Sequence, residues 1–276
     1  MVNNWDNFLK NLGEWQGSFT KISPDGEIIN STPSILNLEA FDDNQGVRFR
    51  LRRFDASGYG GSPIEDYQQE YRSIGRQNIF FATGAFTKGT LQLAPFTEFG
   101  AEYGFIDHDR RSRLVQLYNK QGNFTNLSLI REFRANTDAS ERPQLTVGQL
   151  IGNWEGKAHT FYSDLRPSET HATYLEIKEI GNGYLEQKLS VTSQTITFRA
   201  KITGNKLIFE QGGGIRQILL LPDGISSDVP LQLQLRKPFF VEAGWLVREK
   251  ERQRLIRSYN EKGEWVSSTH VIEYKS

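Results

Sequence analysis

Two stretches of this chain recur in the same order about half a length apart, and that repetition constrains the fold more tightly than composition does. Gly13-Glu14-Trp15-Gln16-Gly17 returns as Gly152-Asn153-Trp154-Glu155-Gly156, an offset of 152 − 13 = 139. The run RSRLVQLYNKQGNF from Arg111 returns as RQRLIRSYNEKGEW from Arg252, an offset of 252 − 111 = 141. Between them, Leu38-Glu39 and Gly46 pair with Leu175-Glu176 and Gly183, an offset of 183 − 46 = 137. Three landmarks in one order with nearly constant offsets indicate a duplication, with units at residues 1–138 and 144–276. The intervening polar segment ANTDASERPQ has no periodic apolar pattern and reads as a linker centred on 139–143.

Within each unit the local signals are those of strands. WQGSFTKIS, the Pro24-Asp25-Gly26 turn and EIINST read as strand, turn and strand. From Val47 to Phe54, apolar Val47, Phe49 and Leu51 alternate with Arg48, Arg50 and Arg52, the period of a strand with two unlike faces. LVQLYN-KQGN-FTNLSLIREFR and LIRSYN-EKGE-WVSSTHVIEYK are equivalent hairpins. Short strands with turns about every ten residues predict an all-β fold of two tandem antiparallel barrels, each preceded by a short helix. Trp5, Phe8, Leu9 and Leu12 stand at helical spacing between an Asn4 cap and a Gly13 stop. Thr146 heads a shorter turn carrying Val147, Leu150 and Ile151 before Gly152.

Composition removes several function classes. Lys+Arg 33 balances Asp+Glu 33, so no global field recruits nucleic acid. Cys is 0, which excludes disulfides, thiolate metal sites and a cysteine nucleophile. No apolar run approaches a membrane helix, and MVNNWDNFLKNLGEW lacks the basic and apolar regions of a signal peptide. These features predict no membrane insertion and a cytoplasmic location. No motif points to a cofactor or a catalytic residue: HExxH spacing, a Gly-x-Ser-x-Gly elbow and a Lys-bearing phosphate loop are all missing.

A helical turn running into Gly-x-Trp, followed much later by an Arg-bearing strand, resembles the calycin superfamily of lipocalins and fatty-acid-binding proteins. That resemblance implies that Trp15 and Trp154 close the barrel floors, with Arg113 and Arg254, or alternatively Arg111 and Arg252, stacked over the indoles by a cation–π contact. Across nearly its whole length the chain is also similar to a cyanobacterial family of tandem calycin-like domains. The segments that carry this are NLGEWQGSF, FGAEYGFIDHDRRSRLVQLYN, LLLPDGISSDVPLQL, PFFVEAGWL and RQRLIRSYNEKGEWVS. Bilin lyases and two-domain lipocalin-like cyclases share such barrels, an analogy of fold alone.

The candidate ligand-binding residues are Arg48, Arg50, Arg52, Tyr71, Arg76, Trp245 and His270. Turned inward, the arginine row would clamp carboxylates by bidentate bonds. The cost of burying several unpaired guanidiniums favours the outward orientation instead. His270 stands where the first repeat has Leu129, and Trp245 where it has Phe105, so the two units diverge in those rows. If that row faces inward His270 sits in a cavity; an outward, half-exposed ring is the commoner outcome. Asp107-His108-Asp109 reads as a solvated turn rather than a metal site. The expectation is a binder of a small apolar or amphipathic ligand, favouring one with a carboxylate. The alternatives are a bilin-lyase-like or cyclase-like enzyme and an interaction scaffold with filled barrels.

Overall fold

The computed structural model describes residues 4–192, 194–211 and 214–276. Its first half is a nine-stranded antiparallel sheet of β1 (Gly13–Ile22), β2 (Ile28–Phe41), β3 (Gly46–Arg53), β4 (Glu65–Tyr71), β5 (Ile79–Phe80), β6 (Phe86–Gly89), β7 (Phe99–Asp107), β8 (Arg110–Tyr118) and β9 (Phe124–Arg134). Its second half contributes β10 (Gly152–Tyr162), β11 (Glu169–Gly181), β12 (Tyr184–Val191), β13 (Gln194–Thr203), β14 (Lys206–Gln211), β15 (Gly214–Leu220), β16 (Ile225–Pro230), β17 (Phe239–Arg248), β18 (Glu251–Tyr259) and β19 (Trp265–Lys275). These ten close into a barrel through β10–β19 pairing. The two tandem barrel-like units therefore differ: the first sheet runs β4-β3-β2-β1-β9-β8-β7-β6-β5 and stays open between β4 and β5.

The N-terminal helix α1 (Asn4–Leu9) seals one of those edges with side chains. Asn4 Nδ2 donates to Asn78 O at 2.9 Å while its Oδ1 accepts from Phe80 N at 2.7 Å. Asn7 Nδ2 reaches Phe80 O at 3.0 Å, and Asn11 Nδ2 reaches Gly84 O at 2.9 Å. A carboxamide has the same donor and acceptor as a peptide group, so these asparagines stand in for the missing neighbour strand. The other helix face sends Trp5, Phe8, Leu9 and Leu12 against Trp15, Leu36, Leu38 and Val47. After α1 the chain makes short turns through Leu12, and Gly13 at φ +126° then opens β1. In the second unit, whose barrel has no free edge, α2 (Val147–Leu150) packs Val147 and Leu150 against the Trp154 cluster, and Thr146 N donates to Gln149 Oε1 at 2.9 Å.

Both tryptophans are fully buried at the helix-capped ends, and each indole N–H donates to a carbonyl just upstream: Trp15 to Asn11 O at 2.9 Å, Trp154 to Leu150 O at 2.8 Å. Of the expected cations only Arg252, from the alternative pair, covers its indole; Arg111 lies over Phe86 instead. Arg134 covers Trp15 at 4.4 Å, and Arg252 covers Trp154 at 4.7 Å with Lys275 at 5.0 Å. Arg113 instead lies 5.4 Å over Phe19, and Arg254 is held by carboxylates. The cause is register: Trp15 pairs directly with Arg134 across β1–β9, as Trp154 does with Lys275 across β10–β19.

The units share one core. Leu114, Phe99, Phe105 and Tyr118 of the first pack against Val229, Val241, Trp245 and Tyr259 of the second. The contact repeats about a pseudo-two-fold axis. Phe124 N donates to Leu231 O at 2.9 Å and its equivalent Trp265 N donates to Leu91 O at 2.7 Å. Tyr118 Oη donates to Pro230 O at 2.9 Å, and Tyr259 Oη donates to Thr90 O at 2.8 Å. Such self-complementary pairing is the signature of an isologous dimer, here within one chain. Truncating a floor tryptophan leaves a large cavity in a packed interior. Trp154→Ala is therefore expected to lower the unfolding free energy by about 3–5 kcal/mol in urea titration, and an unchanged midpoint would remove the indole from its floor role.

Candidate functional site

Strand alternation gives each unit an interior face and an outer face, and charge is buried on the interior of both. In the first unit Arg113 binds Glu132 at 2.7 Å and Glu102 at 3.0 Å, while Arg111 binds Glu132 at 3.0 Å. In the second, Arg254 binds Glu273 at 3.2 Å and Glu242 at 3.3 Å, while Arg252 also holds Glu273. Burial works to raise the Glu132 carboxyl, but Arg113 and Arg111 hold it below its ordinary range. The same burial lowers Arg111 to about 10. The second unit adds Asp228, bound to Arg216 at 2.6 Å, where the equivalent position of the first unit is Lys88. Burial pushes the Asp228 carboxyl up to about 6 against the pull of Arg216, with Glu242 opposite it reinforcing the rise. Elsewhere in the barrel, Ile196 of β13 and Phe240 of β17 stand exposed.

The sequence-predicted ligand residues are not brought together. Arg48, Arg50 and Arg52 point outward, and β4 supplies their carboxylates: Arg48–Glu70 at 3.1 Å and Arg50–Asp66 at 2.6 Å. Arg52 donates to Asn37 Oδ1 at 3.0 Å. The clamp is therefore filled by the neighbouring strand. Tyr71 faces the first interior, edge-on to Phe8 and Phe49 at 6.2 and 6.1 Å. Arg76 reaches across to Ser163 O. Trp245 lies in the shared core, 6.0 Å from Phe105, with its N–H on Asp223 O at 2.9 Å. Both divergent rows thus belong to the contact between units rather than to a barrel lumen. His108 occupies a tight turn at φ +54°.

His270 is turned outward from its barrel yet buried, at 4 % exposure, because the first unit covers it. Phe81 of that unit packs against it with ring centroids 5.1 Å apart and planes tilted by 50°, and His270 Nε2 donates to Gln253 Oε1 at 2.9 Å. Burial, with a smaller push from His159, lowers its pKa to about 3, so the ring is neutral at physiological pH. Beside it runs a groove of about 1090 Å³, a size suited to a small molecule. Phe81–Thr83 form one wall and Ser190 and Thr192 another. The floor is the outer face of β11, β10 and β19 in three cross-strand rows: Tyr174–Glu155–Tyr274, Ala172–Lys157–Ile272 and Thr170–His159–His270. Sequence reading missed this grid. Its only signal was the alternation of Glu155, Lys157 and His159 beyond Trp154, and the flanking residues come from strands that only pairing identifies. Among the described residues no cluster of three or more His, Cys, Asp or Glu could hold a metal ion, and no helix is long and apolar enough to cross a membrane.

Two buried groups give measurable consequences. Removing Glu273 would leave Arg252 and Arg254 short of a counter-charge, so Glu273→Gln is expected to destabilise by about 3–5 kcal/mol in denaturant unfolding. His270 is protonated in the unfolded chain below its ordinary 6.5 but stays neutral in the fold down to about 3. Its contribution is thus present above 6.5 and declines as pH falls toward 3, by about 1.4 kcal/mol per pH unit. His270→Leu should flatten the pH dependence of the urea midpoint between pH 6.5 and 4.5. An unaltered profile would mean that the ring titrates normally.

Residues 1–137 match the family model described as domain of unknown function (DUF3598), N-terminal, and residues 141–276 match that of biogenesis factor required for ATP synthase 1, C-terminal domain. A solved protein of unknown function from the DUF3598 family of Nostoc punctiforme is 45% identical over 100% of both chains, with a TM-score of 0.94. An S-type phycobiliprotein lyase from Guillardia theta is 9% identical over 47% of this chain and 90% of its own, with a TM-score of 0.35. No curated protein matches. On its end-to-end likeness to the Nostoc protein, this chain belongs to the DUF3598 family.

Proposed function

We propose that this chain is a non-catalytic assembly factor that binds a subunit of ATP synthase while the enzyme is being built. The observation that carries this reading is the match of residues 141–276 to the C-terminal domain of a biogenesis factor required for ATP synthase. The interior chemistry is consistent with it. The arginines and carboxylates inside both units are engaged with one another, Arg113 with Glu132 and Glu102, Arg254 with Glu273 and Glu242, as in a scaffold. The strand β4 adds an exposed sheet edge, from Glu65 to Gln69, of the kind to which an extended segment of a partner can pair. Deleting the gene in its host should lower fully assembled ATP synthase several-fold on native gels while free subunits continue to be made. The purified chain should also co-elute with at least one purified subunit. Normal assembly without co-elution would overturn the reading.

A second reading, a binder of a small amphipathic ligand on a calycin-type scaffold, is favoured by the groove of about 1090 Å³ beside His270. It moves the ligand from the barrel lumen to the junction of the units, where a pocket is most readily formed.

A further inference from the structure

The middle strand of the groove floor carries two opposite charges that no partner neutralises. Among the described residues neither Glu155 nor Lys157 makes an ion pair, with each other or with any neighbour. As second neighbours on β10 they share a face, with Cα atoms about 6.8 Å apart. Glu155 has a tyrosine on each side, Tyr174 on β11 and Tyr274 on β19, with Cβ atoms about 5 Å away. Two aromatic rings flanking a carboxylate are the elements that hold an organic ammonium, which gains from the π-faces and the negative charge together. Lys157 has Ala172 and Ile272 beside it, one small and one aliphatic, so its ammonium stands at the edge of an apolar depression.

The remaining basic side chains are either committed to other partners or neutral. Lys275 lines the groove, but its Nζ donates to Gln149 O at 2.7 Å and lies over Trp154. His270 is neutral, and burial also lowers His159. What remains is one carboxylate in an aromatic frame and one ammonium, a fixed short distance apart.

Resting on the ligand-binding reading, we infer that the groove takes a small zwitterion of the choline or betaine type. Its alkylated ammonium sits between Tyr174 and Tyr274 over Glu155, its acid group sits at Lys157, and any apolar tail runs over Ile272 toward Phe81. A simple organic cation or a simple anion satisfies only one of the two charges and leaves the other facing it unpaired, so both should bind more weakly.

Calorimetric titration with phosphocholine and glycine betaine, against choline and inorganic phosphate, tests this. At least one zwitterion is expected to bind at one site per chain, ten-fold or more tighter than choline or phosphate. Glu155→Gln and Lys157→Gln should each weaken it about ten-fold. Both side chains are exposed, so folding is not at stake. The neutral fluorophore N-phenyl-1-naphthylamine checks the groove itself: it should bind wild type and both charge variants alike, and be lost in Ala172→Trp, which fills the depression. If that probe fails to bind, or ignores Ala172→Trp, the ligand reading falls. If it behaves as expected while neither zwitterion binds, or either binds without regard to Glu155 and Lys157, the zwitterion inference alone falls.

Discussion

The outer faces of β7 and β8 press against those of β16, β17 and β18, and the rest of the molecule is arranged around that contact. A strand buried on both faces needs apolar residues on both, and β17 supplies them: Val241, Ala243, Trp245 and Val247 go to the shared core, while Leu246 goes to the barrel interior. The two-fold repetition of inter-unit backbone bonds, Phe124 to Leu231 and Trp265 to Leu91, means that the duplicated halves meet as two identical subunits would. This explains why the first sheet can remain open. Its β7 and β8 are held by the partner unit, and α1 closes the β5 edge, so a full ring of backbone pairing is not needed.

Each unit then places a guanidinium–carboxylate layer in its interior above the tryptophan floor. Desolvated charges are tolerable only when every one has a partner, and Arg113 with Glu132 and Glu102, or Arg254 with Glu273 and Glu242, meets that condition. The units diverge at Lys88 and Asp228. The second interior therefore gains a carboxyl whose pKa is raised by burial.

Divergence is sharper at the junction. Both Gln116 of the first unit and its equivalent Arg257 are fully buried, but Gln116 donates to Ser227 Oγ at 2.9 Å, whereas the larger guanidinium reaches more partners. Arg257 spreads over Thr87 Oγ1, Gln77 O and Tyr259 Oη and covers the Trp265 ring at 4.7 Å. Leu129 against His270 belongs to the same surface. An isologous contact has freed each half to specialise: the groove on β10, β11 and β19 has a smaller counterpart of about 440 Å³ on β1, β2 and β9, where uncharged Gln16 and Ser18 stand in place of Glu155 and Lys157.

Much of this architecture can be read along the chain. Gly-x-Trp-x-Gly and the two Arg-x-Arg-Leu hairpins locate the duplication, and the alternation of Val47 to Phe54 places β3 with its arginines outward. Gly13 marks where the helical start gives way to β1. These are local properties, set by backbone freedom at a glycine and by the period of two along a strand. Which cation covers Trp15 is not local, because Arg134 rather than Arg113 reaches the indole through the β1–β9 register. The burial of His270 is less local still, since it depends on Phe81 arriving from the other half of the molecule. By itself the sequence determined two all-β repeats, their hairpins and their capped starts. Only the tertiary structure decided which face of each strand became interior, junction or groove, because apolar and charged residues occupy both faces and the deciding contacts join positions far apart in the chain.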